Sequence, residues 1–375
     1  MPKDLNGPFI SQPSANAIGR QRSKTASAVR LLVRFSNDRG FQSVSSLCLR
    51  LRNVLSSDAI QFVYMDSPCS ERGYPMINHR RPILVLGATG RQGGSVAKTL
   101  LEARWNVRAL VRDPTQPASA ALRQQGVELV RGSFDDAEAM AAAMKDVHGV
   151  FSALPSNLSA EDEVRYGTSI ADVAAESRID HFIYSSGASV GNTLTGVARF
   201  DAKPRIEAHI RKLPLTATIV RPLIFMEMLL RPGFGLEQGR LTSLIRPDHS
   251  MQLIAVDDIG KIVAALFADK PRFAGITIKI AGDRVTGHEL ETAFSDVAGQ
   301  TITYARFPDA VLAANADLAH MAASLENGPL AELADLNLMR ELNPELLSFR
   351  SWLASRDRKA LDAAFGRNGE VDQPG

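Results

Sequence analysis

Three glycines at three-residue intervals, Gly87, Gly90 and Gly93, lie in the segment Gly87-Ala88-Thr89-Gly90-Arg91-Gln92-Gly93. The segment follows directly on the apolar run Ile83-Leu84-Val85-Leu86. It precedes a stretch in which Val96, Leu100 and Ala103 recur at helical spacing. A strand, a glycine turn and a helix in that order form an anion site. The first glycine permits the tight turn, the second lets the backbone approach phosphate, and the third allows close helix–strand packing. The helix N-terminus then directs unpaired N–H groups at the anion. The expected ligand is the pyrophosphate of a dinucleotide, held by Gly87, Thr89, Gly90, Arg91, Gln92 and Gly93. A second clue follows the next apolar run, where Val111 is succeeded by Arg112-Asp113-Pro114. An acid at this point bonds the ribose 2′-hydroxyl of NAD, whereas an arginine accommodates the 2′-phosphate of NADP. Arg112, with Arg91 as a second cation, predicts NADP(H) as the preferred cofactor. Asp113 on the ribose keeps NAD(H) open.

These residues need a scaffold, and the chain from residue 82 supplies one. Short apolar runs at 83–86, 107–111, 127–130, 148–151, 181–184, 218–220 and 276–280 are separated mostly by helix-length stretches. Continuous apolar runs suit strands buried on both faces, and strands interleaved with helices imply right-handed crossovers in a parallel sheet. The expected fold class is α/β, a doubly wound parallel sheet of about seven strands. Residues 222–255 and 282–365 break the alternation. They are expected to form a smaller lobe over the carboxyl edge of the sheet, where ligands of such sheets bind. The core is then about 81–221 plus 256–281, within a domain of 79–375.

Residues 1–78 read differently. Residues 1–60 carry nine Lys and Arg against three Asp, and the only two cysteines of the 375 residues, Cys48 and Cys69, lie in this part. Three readings stand: a disordered extension, a basic organelle-targeting segment, or a start placed upstream of Met76. The domain itself has no cysteine for a disulfide, a thiolate metal site or a sulfur nucleophile. No His, Asp and Glu group has metal-ligand spacing, so no metal is expected. A net charge of +2 points neither to nucleic acid nor to an anionic membrane. No apolar run approaches the ~20 residues that span a bilayer. The default reading is a cytoplasmic protein.

The domain resembles the NmrA-like branch of the short-chain dehydrogenase/reductase superfamily. The likeness runs from Arg81 to about Leu353. It rests on the glycine loop, the Leu110-Val111-Arg112-Asp113-Pro114 segment, Phe134-Asp135-Asp136, Phe182-Ile183-Tyr184-Ser185-Ser186, and Phe200-Asp201-Ala202-Lys203. Arg221-Pro222 with Phe225-Met226-Glu227, and Val256-Asp257-Asp258-Ile259-Gly260, continue it. The resemblance implies a Rossmann dinucleotide clamp with a substrate or effector lobe, and adds Phe134 and Lys203 to the cofactor contacts. Lys203 inherits a contact to the nicotinamide ribose and a possible part in proton transfer. The superfamily's acid, a Tyr four residues before the Lys, is replaced by Arg199. An arginine cannot release a proton at neutral pH. Pro204 predicts a helix starting there, with Lys203 at its cap.

Lesser candidates follow. Ser186, after the fifth strand, is expected to hydrogen-bond a reacting carbonyl. Ser133 stands where relatives carry an Asp near the adenine, and Met228 replaces their Asn. His148 and His181, near strand starts, read as structural, and Trp352 as packing. Two functions fit. One is an NADPH-dependent oxidoreductase acting on a small carbonyl, quinone or enone. The other is a non-catalytic NADP(H) redox sensor with a regulatory protein partner. Either could act as a monomer or a homodimer.

Overall fold

The computed structural model describes residues 79–187, 194–195, 197–328 and 331–367. The three readings of residues 1–78 lie outside these. The strands are β1 (His79–Leu86), β2 (Trp105–Val111), β3 (Glu128–Arg131), β4 (Gly149–Ser152), β5 (Phe182–Ser185), β6 (Ala217–Pro222), β7 (Ile224–Phe225), β8 (Arg240–Ser243), β9 (Ser250–Ile254), β10 (Thr277–Ile280), β11 (Asp283–Thr286) and β12 (Thr303–Arg306). The helices that bear on the site are α1 (Arg91–Glu102), α2 (Pro117–Gln124), α3 (Ala137–Met144), α4 (Ala160–Glu176), α5 (Ala198–Ile210) and α6 (Val256–Ala268).

Seven strands form one sheet in the order β10-β6-β5-β4-β1-β2-β3, and every pairing is parallel. Each corresponds to one of the seven apolar runs. The order reverses direction between β1 and β4, which opens a crevice at their carboxyl ends. Alternation along β1 explains the two covered faces. Ile83 and Val85 pack with Val96, Leu100, Ile259 and Val263 on the α1 and α6 side. Leu84 and Leu86 pack with Met140, Ile170, Ile206 and Ile210 on the α3, α4 and α5 side. All four β1 side chains have zero exposure, each contributing roughly 1.5–3 kcal/mol.

The helix starts differ in a way that matters for function. Ser159 caps α4 by accepting from the Asp162 amide, and Glu161, Asp162 and Glu163 place negative charge in its first turn. Asp136 caps α3 through the Ala139 amide. The start of α1 has Gly90 as cap, no side-chain capping bond and no acid in its first turn.

Beyond β6, the segments that broke the alternation contain a three-stranded sheet, β11-β9-β7, and a parallel pair, β12-β8. They enclose a second apolar core that includes Leu229, Leu241, Phe294, Phe349 and Trp352. Among the described residues, no helix is long and apolar enough to cross a membrane.

Candidate nucleotide-binding site

Gly87 adopts φ +78°, and a Cβ there would lie 2.3 Å from the Ala153 carbonyl oxygen at the end of β4. The turn therefore sits directly on the reversal point of the sheet. The Gly90 amide donates to the Gly87 carbonyl at 2.9 Å, closing the turn. A Cβ on Gly93 would stand 2.2 Å from the same Gly87 oxygen, so only glycine lets α1 start this close to the strand. With no side-chain cap, the first amides of α1 are available to an anion. The cradle fits a pyrophosphate. Thr89 and Arg91 are exposed at its mouth. Gln92 reaches across the crevice, and the Ser185 hydroxyl at the end of β5 donates to its Oε1 at 2.7 Å.

At the end of β2 the two neighbouring residues point to different tasks. Both carboxylate oxygens of Asp113 are occupied within its own loop. Oδ1 accepts from the Thr115 amide at 2.8 Å and the Thr115 hydroxyl at 2.6 Å, and Oδ2 accepts from Gln116 at 3.0 Å. Those bonds, the Thr115 hydroxyl first, lower its pKa to about 2. Arg112 is exposed and, among the described residues, its guanidinium has no hydrogen bond or ion pair. Arg91 stands in the same condition. Arg131, at the end of β3, is the register partner of Val111. The mouth of the crevice on this side is therefore cationic.

Phe134, half-buried after β3, meets the Tyr166 ring edge-on at 5.8 Å. Asp135 accepts from the Tyr166 hydroxyl at 2.8 Å and from Arg165 at 2.5 Å. This wall is tied to α4, a connection that nothing local in the sequence announced. Ser133 is half-buried, and the Asp135 amide donates to its hydroxyl at 3.3 Å.

Helix α5 corrects one expectation. It begins at Ala198, so Pro204 is internal and Lys203 lies within the helix rather than at its cap. Burial of Ala202, Ile206 and Ile210 outweighs the cost of an internal proline, about 3 kcal/mol. Lys203 Nζ sits 2.5 Å from Glu163 Oε1 on α4, with side-chain exposures of 30% and 16%. Arg199, in the tyrosine position, is exposed and lies 3.7 Å from Asp317. Ser186 is buried, and its hydroxyl donates to Glu207 Oε1 at 2.6 Å, so its proton is directed into the protein. His181 is buried and bonded to Thr218 at 2.8 Å, and His148 lies beside the Trp105 ring at 4.9 Å. Met228 is 38% exposed.

The Val256-Asp257-Asp258-Ile259-Gly260 segment proves to be a junction. Ser95 of α1 donates to the Asp257 carbonyl at 3.4 Å. Asp258 accepts from Asn343 and from the Leu347 amide at 2.8 and 3.1 Å. Glu227 Oε1 accepts from the Val256 amide at 3.0 Å and from Trp352 Nε1 at 3.2 Å. The glycine-loop helix is thus linked through α6 to the second core.

A parallel sheet in this order, with a glycine cradle at its reversal point, defines a Rossmann-type nucleotide-binding protein. The chain belongs to the NmrA-like family, whose model matches residues 79–340. The NmrA-like family domain-containing oxidoreductase hkm9 of Aspergillus hancockii is 33% identical over 249 residues, spanning 59% of this chain and 73% of that protein. The corresponding oxidoreductase FrzB of a Cladobotryum species is 30% identical over 255 residues, with 59% and 75% covered. Among solved structures, NmrA, a negative transcriptional regulator in complex with NADP, aligns with a TM-score of 0.61 at 20% identity, over 78% of this chain and 98% of that one. NmrA has also been solved with NAD.

Proposed function

We propose that this protein binds NADP(H) and acts as an NADPH-dependent oxidoreductase of a small carbonyl, quinone or enone. The carrying observation is the contrast between Asp113, with both oxygens occupied by its own loop, and Arg112, which has no hydrogen bond or ion pair among the described residues. An acid so engaged is a poor ribose acceptor, while an unpaired guanidinium suits a phosphate. In this reading the amides of the glycine loop hold the pyrophosphate and Arg112 and Arg91 hold the 2′-phosphate. Phe134 walls the adenine side, and Lys203 meets the nicotinamide ribose.

The bound nicotinamide would supply hydride, while the protein orients it and excludes water. Arg199 cannot act as the proton donor. The substrates that suit the site are those whose reduced form takes its proton from Lys203 or from water. Two relatives named as oxidoreductases support this class of activity.

A second reading, a redox-sensing regulator, is favoured by the α1–α6 junction, through which cofactor state could bias the lobe surface. The likeness to a transcriptional regulator is compatible with it. NADPH oxidation across a panel of quinones and aldehydes, with Lys203→Ala as control, separates the two. Turnover lost in the variant supports the enzyme. Tight NADP(H) binding without turnover on any substrate overturns it in favour of the regulator.

A further inference from the structure

Helix α4 reaches both ends of the crevice from its first two turns. On one side Tyr166 and Arg165, the latter also bonded to Asp162, hold the loop of Asp135. On the other side Glu163, in the first turn, holds the ammonium of Lys203. One turn further on, Gly167 lets α5 approach so closely that a Cβ would stand 2.5 Å from Ile206 Cδ1. This close crossing brings α4 and α5 together one turn from the Glu163–Lys203 pair. Ser159 caps this turn by accepting from the Asp162 amide.

We infer that Glu163 is a positioning residue that pre-orders Lys203 for the nicotinamide half of the cofactor. This rests on the reading of Lys203 given above. A lysine side chain loses rotamer freedom when it is held in place. Glu163 imposes that order before any cofactor arrives, which improves affinity by preorganisation. An ammonium has three donors. Glu163 takes one, leaving two for the ribose hydroxyls.

The test is a double-mutant cycle on the full chain, with affinities read by fluorescence titration. The probes are NADPH and adenosine 2′,5′-bisphosphate, which lacks the nicotinamide half, and each apo variant is also melted. Glu163→Gln is expected to raise the NADPH Kd about tenfold and to leave the bisphosphate Kd unchanged. It should add nothing further in a Lys203→Met background. Equal losses for both probes, or an apo variant that no longer folds, would mean a merely structural pair and overturn the inference. So would additive effects, or tighter NADPH binding in Glu163→Gln. If Lys203→Met itself binds NADPH normally, the underlying reading of Lys203 fails. If only Glu163→Gln binds normally, the positioning role alone fails.

Discussion

The carboxylate of Glu207 and the guanidinium of Arg221 meet through two hydrogen bonds, 2.9 Å from Nε to Oε1 and 2.6 Å from Nη2 to Oε2. The Glu207 side chain has no solvent exposure and that of Arg221 has 13%. Ser186 and Arg211 complete the cage at 2.6 Å each. Burial alone would raise the acid's pKa, but the bonds from Arg221, Ser186 and Arg211 outweigh it and hold it below its ordinary 4.5. The stabilisation is therefore full above pH 4.5 and is lost as pH falls through the depressed native value. Glu207→Ala leaves the largely buried Arg221 without its carboxylate and should cost about 3–5 kcal/mol in urea unfolding at neutral pH. An unchanged urea midpoint would contradict this.

His181 acts in the same direction but over a higher pH window. The Thr218 hydroxyl gives its proton to the Phe273 carbonyl at 2.6 Å, so Nε2 of His181 must donate to Thr218. Nδ1 is then the bare nitrogen, buried and, among the described residues, without a hydrogen-bond partner. Protonating it would bury an unpaired charge, and burial lowers the pKa from 6.5 to about 4. The neutral ring stabilises the fold above pH 6.5, and this is lost as pH falls toward 4. Relative to His181→Leu, the native protein should lose about 3 kcal/mol of unfolding free energy over that interval. Parallel pH curves for the two proteins would refute the assignment.

Arg112→Ala should weaken NADPH binding by ~1–3 kcal/mol, the worth of a charge-assisted bond, and leave NADH binding unchanged. Fluorescence titration with both nucleotides reads the difference. If the native protein already binds the two equally, the selectivity argument collapses.

Gly260 of α6 is where the glycine-loop helix is braced. A Cβ there would stand 2.4 Å from Ser95 Oγ and 2.6 Å from the Ser95 carbonyl oxygen. Gly260→Ala should therefore cost about 1–3 kcal/mol by overpacking and shift α1 enough to weaken NADPH binding. Thermal melting and titration check the two halves. A variant that melts and binds like the parent would show that the contact is not tight.

Glu227 joins Trp352 to the start of α6, and Trp352 is one of two tryptophans in the chain. In a Trp105→Phe background, Glu227→Ala should red-shift the remaining emission and lower stability by about 2–4 kcal/mol, since two buried N–H donors lose their acceptor. Emission and stability matching the background protein would argue against the junction.

The sheet was legible because parallel strands covered on both faces must be apolar along their length, and such runs are visible in one dimension. The glycine loop was legible for a related reason, since a turn with positive φ at Gly87 and backbone contact at Gly93 admits only glycine. The engagement of Asp113 also left a local signal, a threonine two residues on, of the kind that marks side-chain-to-backbone turns.

Tertiary structure alone decided the rest. Lys203 finds Glu163 40 residues away, and Ser185 finds Gln92 across 93 residues. Such pairs depend on helix crossings and strand register, which no local period reports. Pro204 is the clearest case: local propensity places it at a helix start, yet α5 runs through it because its buried face is worth more than one lost hydrogen bond. The sequence by itself determined the strands, the turn and the cationic mouth of the crevice, because each follows from neighbours in the chain. Only packing decided which of the polar side chains at that crevice hold one another and which are left for a ligand.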